Sequence, residues 1–341
     1  MSNQYVKVSK GRTRGGIAIN DTAFKLLETA KTDKDGLYIV VDGTDHPELR
    51  AGRNRIYLEE SHYAMIDTLP VKHVHMMSSD SRSDTEISRD LIDTFKILGE
   101  MTDAVASSVV RGLVVSGPAG IGKSYTVEST LVKSLDMLGL LSGKGSMYDT
   151  VSGHMSPIAL YETLWNYRDE GKVLLFDDCD SVLYDEDSLN ILKAALDSKK
   201  TRKISWNTNS RYLIDNDIPK RFEYQGGIIF ITNLKFDQVR SHRISNHLEA
   251  IVSRCHYMDL GIDTPREKMI HIHNVFARSD MLRDYNFTDD EKRDVIAYMD
   301  SNYGKLRELS LRMVLKIADL RKAMPHNWIK FVEKNCHKRA A

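Results

Sequence analysis

At 341 residues the chain is long enough for two or three domains with cores of their own. Its 48 Lys and Arg balance 48 Asp and Glu, so the mean charge argues neither for nor against a nucleic-acid partner, and only local patches speak to that. Three widely separated cysteines (Cys179, Cys255, Cys336) exclude a disulfide scaffold or a zinc finger, and the lack of a long apolar run or apolar leader predicts a cytoplasmic protein without membrane attachment.

The basic, glycine-rich residues 7–16, with Lys7, Lys10, Arg12 and Arg14, read as a flexible start or a nucleic-acid arm. Residues 37–41 (Leu-Tyr-Ile-Val-Val) and 55–58 (Arg-Ile-Tyr-Leu) have the β-branched and aromatic content of strands, joined by a turn-rich stretch around Gly43 and Gly52. Residues 1–80 are therefore expected to form a small mixed α/β segment of unread role. Residues 78–85 suit a linker or a helix start, and a helical pattern follows over 87–109.

Residues 117–124, Gly-Pro-Ala-Gly-Ile-Gly-Lys-Ser, match the phosphate-loop pattern G-x-x-x-x-G-K-[ST] at every fixed position. The apolar run Leu113, Val114, Val115 precedes them as a buried strand, and Tyr125, Val127, Leu131, Val132 and Leu135 follow at helical spacing. In such a loop Gly117, Gly120 and Gly122 let backbone N–H groups turn toward a triphosphate, at a helix N-terminus whose dipole favours anions. Lys123 would reach the β- and γ-phosphates and Ser124 would ligate Mg²⁺, with Pro118, Ala119, Ile121 and Tyr125 completing the ATP-contacting stretch. A glycine-rich turn with no ligand is the plainer alternative.

Residues 173–178, Val-Leu-Leu-Phe-Asp-Asp, are a second buried-strand run, here ending in two acids. Asp177 is placed to hold the Mg²⁺ shell and Asp178 to polarise the attacking water; a strand with a polar exit is the alternative. Strands and helices alternate through 111–260, which predicts a parallel sheet with helices on both faces. Farther on, Thr-Pro-Arg-Glu at 264–267 and Thr-Asp-Asp-Glu at 288–291 are capping boxes, and Leu311, Val314, Leu315 and Ala318 form one apolar stripe. Met324 and Pro325 end that helix, and a short one follows around Trp328.

On these residues the stretch from about 85 to 335 resembles the AAA+ ATPases. Residues 227–233, Gly-Ile-Ile-Phe-Ile-Thr-Asn, are similar to the sensor 1 strand, whose polar end (Asn233) helps orient the lytic water. Ser253-Arg254-Cys255 before an apolar strand is similar to the Ser-Arg-Cys box of clamp-loader-type members, which makes Arg254 the arginine finger entering a neighbouring subunit's site. Leu309-Ser310-Leu311-Arg312 resembles sensor 2, with Arg312 reaching back to the nucleotide. Without the resemblance, Asn233 is a turn cap, Arg254 a solvated helix-end cation, and Arg307 a rival to Arg312.

The resemblance implies an α/β phosphate-loop core (85–262) and a small α-helical lid (263–335). It further implies ATP and Mg²⁺ as cofactors, hydrolysis at the subunit interfaces of a homo-oligomeric ring, a hexamer, and remodelling of a protein or protein–DNA substrate. One departure stands out: active members carry Glu after the Walker B Asp, and here Asp178 is one methylene shorter, with Asp180 near. That points to slow hydrolysis or a switch-like cycle.

The long connection 198–226 carries Lys199, Lys200, Arg202, Lys203, Arg211, Lys220 and Arg221, with residues 204–208 and 221–224 reading as paired strands. Its placement resembles the hairpin inserted before sensor 1 in one large branch of the family. Basic residues interleaved with Trp206 and Tyr224 suit phosphate contact and base stacking, or else the hairpin is a solvated surface. Gly153-His154-Met155-Ser156 occupies the pore-loop position. A ring-forming remodelling ATPase, favoured by Arg254, competes with a clamp-loader-like or helicase-loader-like ATP switch on DNA, for which the roughly twenty residues after the Arg312 helix leave no collar domain. A monomeric phosphate-loop kinase leaves the lid and Arg254 unexplained. The small, self-contained layout resembles the lone ATPases carried by some large bacteriophages.

Overall fold

Unbroken apolar runs become the middle of a parallel sheet because such strands are buried on both faces. The structure is a computed structural model and describes residues 5–14, 18–42, 49, 52–58, 63–66, 82–136, 146–234 and 242–338. These fall in two units, residues 1–80 and 81–341. In the second, β6 (Gly112–Ser116), β7 (Tyr148–Ser152), β8 (Val173–Asp177), β11 (Gly227–Thr232) and β12 (His256–Asp259) lie in the order β12-β6-β11-β8-β7, every pairing parallel.

Alternate strand residues enter two cores. Leu113, Val115, Val173, Leu175, Ile229 and Ile231 cluster with α1 (Asp84–Ala106) and α2 (Lys123–Leu131). Val114, Leu174, Phe176, Ile228 and Phe230 cluster with α3 (Pro157–Asn166), α4 (Glu186–Ala195) and α5 (His242–Val252). A nine-residue helix such as α2 is too short to hold itself. Val127 and Leu131, fully buried, anchor it, each contributing roughly 1.5–3 kcal/mol. Helix α1 starts at Asp84, under a capping box of Ser83 and Glu86, and ends before the expected Val109.

Between α4 and β11 the expected hairpin forms from β9 (Arg202–Ser205) and β10 (Arg221–Tyr224), with a short helical turn, Arg211–Asp215, at its far end. Its strands alternate, and that corrects the base-stacking expectation. Tyr224 is buried, and Arg202, also buried, lies over its ring and donates to Ala195 O (2.9 Å) and Gly226 O (3.1 Å). Trp206 packs on Tyr161, its Nε1 buried without a partner. Lys199, Lys200, Lys203, Arg211, Lys220 and Arg221 are exposed.

The chain then turns helical, with α6 (Pro265–Arg278), α7 (Asp289–Asn302), α8 (Leu311–Ala323) and α9 (Trp328–Cys336). Both capping boxes form, at Thr264 with Glu267 and at Thr288 with Glu291. Ile272, Val295, Met299, Val314, Ile317 and Val332 make the core of this helical group.

The first unit is antiparallel. Its strands β1 (Tyr5–Thr13), β2 (Ala18–Asp33), β3 (Gly36–Asp42), β4 (Arg53–Leu58) and β5 (Tyr63–Ile66) lie in the order β2-β3-β4-β1-β5, with β1 also paired to β2. Val6, Val8, Ile19, Phe24, Ile39, Val41, Ile56 and Leu58 fill its interior. Every element among its described residues is a strand. The basic start is likewise a strand: a Cβ on Gly11 would lie 2.9 Å from both Ile56 Cγ2 and Tyr57 O, so glycine serves close strand approach there. The turn around Gly43 and the polar run before Arg82 lie outside the described residues.

Candidate active site

The parallel strands end in polar residues, and a crevice at the carboxyl ends of such strands is where this class of sheet binds ligands. After β6 the chain turns through Gly120 (φ +72°) and Gly122 (φ +95°) into α2. Both are left-handed, where glycine carries no steric cost. Gly120 is doubly constrained, since a Cβ there would sit 2.9 Å from Ser310 Cβ. Lys123, the first residue of α2, is buried and its ammonium donates to Gly117 O (2.5 Å), Pro118 O (2.8 Å) and Asn233 Oδ1 (2.8 Å). Burial lowers its pKa to about 8, against the opposing pull of Asp178 and Asp177.

Ser124 Oγ donates to Asp177 Oδ1 at 2.9 Å, joining the loop to the end of β8. Asn233, just past β11, donates through Nδ2 to Asp178 Oδ1 at 3.0 Å while accepting from Lys123. Asp178 has φ +50°, a conformation Asp tolerates better than most residues, and its N–H donates to Ile231 O at 3.2 Å. Sequence reasoning placed Asp180 nearby but missed its partner. Thr232 Oγ1 donates to Asp180 Oδ1 at 2.8 Å, and burial raises the carboxyl's pKa against that bond. The position of Thr232, one residue before Asn233 at a strand end, was the available signal.

The helical group closes the other side. Arg312 lines the cleft, its Cγ 3.4 Å from where a Cβ on Gly120 would stand. Arg307 faces elsewhere, its Nε donating to His337 O at 2.8 Å. Two contacts from this side had no sequence signal: His271 Nε2 lies 2.7 Å from Ile121 O, and Leu311 N–H donates to Gly120 O at 2.8 Å. Arg254 is exposed, donates to Ala250 O at 2.6 Å and is not among the residues lining its own chain's cleft. In that position it satisfies the end of α5 as a helix-end cation does.

The cleft has a volume of about 920 Å³, within the range of small-molecule sites. Leu91, Ile92, Phe95, Leu311 and Leu315 make its apolar wall. Lys123, Ser124, Asp177, Asp178, Asn233 and Arg312 make its polar end, and Ala119, Gly120, Ile121, Gly122 and Tyr125 also line it. Among the described residues no cluster of three His, Cys, Asp or Glu side chains stands as a metal cage. The Ser124–Asp177 pair suits the sparse protein ligation typical of Mg²⁺, which keeps waters and takes substrate phosphates. Among the described residues no helix is long and apolar enough to cross a membrane.

No protein-family model matches the chain. It is 36% identical over 289 residues, 84% of its own length and 85% of the relative's, to the "Uncharacterized 36.7 kDa protein in nrdC-mobD intergenic region" of Enterobacteria phage T4. Among solved structures it is similar to NtrX from Brucella abortus in complex with ATP, at a TM-score of 0.40 and 12% identity. That match covers 69% of this chain and 49% of that one, so the chain spans about half the length of NtrX.

Proposed function

We propose that this chain, which belongs to the same family as the uncharacterized 36.7 kDa protein of Enterobacteria phage T4, is a phage-type AAA+ ATPase that binds ATP with Mg²⁺ and hydrolyses it to remodel a protein or protein–DNA substrate in the host cytoplasm. The observation that carries the reading is two sets of bonded side chains side by side on the cleft: Lys123 to Asn233 and Asn233 to Asp178, and Ser124 to Asp177. A βα turn without a ligand does not require a buried ammonium bonded to a carboxamide that in turn holds an acid.

Bound ATP and Mg²⁺ would supply the γ-phosphoryl group and the charge that neutralises its oxygens. Lys123 is the cation for the phosphates, and Ser124 Oγ with Asp177 would hold the metal. Asn233 fixes one oxygen of Asp178, which leaves the other to take a proton from water. Arg312, on the cleft wall, offers positive charge in the same chain. Arg254, exposed and turned from its own cleft, is proposed to complete the site of a neighbouring copy in a homo-oligomeric ring. The hairpin is not favoured as a base-stacking element, because Trp206, Phe222 and Tyr224 are packed against the core.

Two measurements test this. Asp178→Asn should keep ATP affinity and lose roughly 10²-fold or more in turnover. Specific activity should rise with protein concentration as copies assemble. An Asp178→Asn protein that turns over normally removes Asp178 as the base, and a concentration-independent monomer removes the shared site.

A further inference from the structure

Two elements of the helical group reach the phosphate loop, and they take consecutive carbonyls. Leu311 N–H, at the first turn of α8, donates to Gly120 O at 2.8 Å. His271, on α6, brings Nε2 to 2.7 Å from Ile121 O. A carbonyl only accepts, so Nε2 carries the proton. The imidazole is buried and stacked on Phe95 of α1, ring centroids 4.6 Å apart and 19° from parallel, which fixes the direction of that N–H.

A trans peptide is planar, with its C=O and the next residue's N–H pointing opposite ways. There is no cis peptide among the described residues. Drawing Gly120 O toward Leu311 therefore turns Ile121 N–H the other way, and drawing Ile121 O toward His271 does the same for Gly122 N–H. Among the described residues neither amide donates to another protein group. Gly120 is the residue that lets α8 come this close, since any side chain there would meet Ser310.

We propose that His271 and the Leu311 amide are positioning residues that set two consecutive amides of the phosphate loop for an oxyanion, so that phosphate affinity depends on the helical group being docked. This rests on the reading of the cleft as an ATP site. His271 does not touch phosphate in this scheme; it acts through the peptide that it orients. The Asp180–Thr232 bond ties the segment after β8 to the end of β11 and does not touch the loop's backbone.

The test separates the hydrogen bond from the packing. His271→Phe keeps a ring on Phe95 and deletes the donor, whereas His271→Gln restores a donor at the Nε2 position. Leu311→Pro deletes the second donor at the first helical position, where proline is accepted. Ser310 before it is already extended (φ −157°, ψ 161°), as a residue preceding proline prefers. Leu311→Ala controls for the lost side chain. Equilibrium affinities are measured by titration for ATP, inorganic tripolyphosphate and adenosine, with thermal melting to confirm folding.

His271→Phe should weaken ATP and tripolyphosphate about tenfold, the upper end for one hydrogen bond, without a matching loss for adenosine. Leu311→Pro should weaken tripolyphosphate about tenfold relative to Leu311→Ala, which shares the loss of the side chain from the cleft wall. His271→Gln should stay within about threefold of wild type for tripolyphosphate, and Leu311→Ala serves only as the reference for Leu311→Pro. Equal tripolyphosphate affinity in wild type, His271→Phe and Leu311→Pro overturns the proposal while ATP binding stands. Equal losses for His271→Phe and His271→Gln, with adenosine lost in parallel, overturn it in favour of a packing role. A wild-type protein that binds neither ATP nor tripolyphosphate overturns the nucleotide reading itself.

Discussion

The strand ends and the β9–β10 hairpin carry the same kinds of residue and use them in opposite ways. At the strand ends, Lys123, Asn233 and Asp178 bond to one another on the wall of a cleft. In the hairpin, Arg202, Phe222 and Tyr224 are buried, and the guanidinium of Arg202 is taken up by two backbone carbonyls. The difference is one of position. A polar residue just past a parallel strand leaves the sheet and faces the crevice, whereas alternate residues of an antiparallel pair turn inward. Basic and aromatic residues in a row therefore say little until the face each one takes is known.

The largest effect expected from the strand-end region comes from outside its own chain. Arg254→Ala should cost roughly 10³-fold in ATP turnover while sparing ATP affinity, because a cation acting only on transition-state charge in a neighbour leaves ground-state binding alone. Steady-state rates and a binding titration on the same preparation check it, and normal turnover would remove the finger assignment. Mixing Arg254→Ala with Asp178→Asn sharpens the point. If each supplies what the other lacks, the mixture regains activity that neither has alone.

Next come two substitutions of buried cations that should part company. Lys123→Ala should weaken ATP binding by at least about 10²-fold, having removed several charge-assisted hydrogen bonds, with little effect on the melting temperature. Its ammonium is held at a desolvation cost, and relief of that cost offsets the hydrogen bonds to Gly117 O, Pro118 O and Asn233 that go with it, on a cleft that water can enter. Arg202→Ala should do the reverse. Ala195 O and Gly226 O would be left buried without a donor, which costs about 2 kcal/mol and lowers the melting temperature by about 4–8 °C, with ATP affinity unchanged. Should Arg202→Ala instead lose ATP or DNA binding while melting normally, the contrast between the regions collapses.

The strand, turn and helix around residues 117–124 were legible because the pattern sets glycines, a lysine and a hydroxyl at fixed spacing on one short stretch. The sheet was legible for a related reason: Val173 to Phe176 and Ile228 to Ile231 are apolar without interruption, as strands buried on both faces must be. What stayed hidden depends on packing between distant segments. His271 and Ile121 are 150 residues apart and Thr232 and Asp180 are 52 apart, and no local pattern announces either bond. In the first unit, β2 carries Asn, Asp, Lys and Glu, and its register against β3 shifts between Leu26 and Glu28 and again between Glu28 and Lys31. Those irregularities break the alternation by which a strand is recognised. Gly11 suggested freedom because glycine usually does, yet here it permits two strands to touch.

The smallest effect is a pH dependence that ties the strand-end network to its ligand. Lys123 loses its proton near pH 8 in the free protein, well below the ordinary lysine value of 10.5, because burial disfavours the charged form. A phosphate contact needs the ammonium, so ATP affinity should be flat below about pH 7 and fall above it, by about tenfold between pH 7 and 9. Folding linkage has the opposite sign. The unfolded chain keeps the Lys123 proton between pH 8 and 10.5 while the folded chain has released it, so this residue's contribution to stability rises with pH across that window. Lys123→Arg provides the control. Arginine stays charged throughout, so its affinity, though weakened by altered reach, should not change between pH 7 and 9. A wild-type affinity that is level over the same range would mean that Lys123 keeps its proton in the cleft, and that Asp177 and Asp178 outweigh its burial.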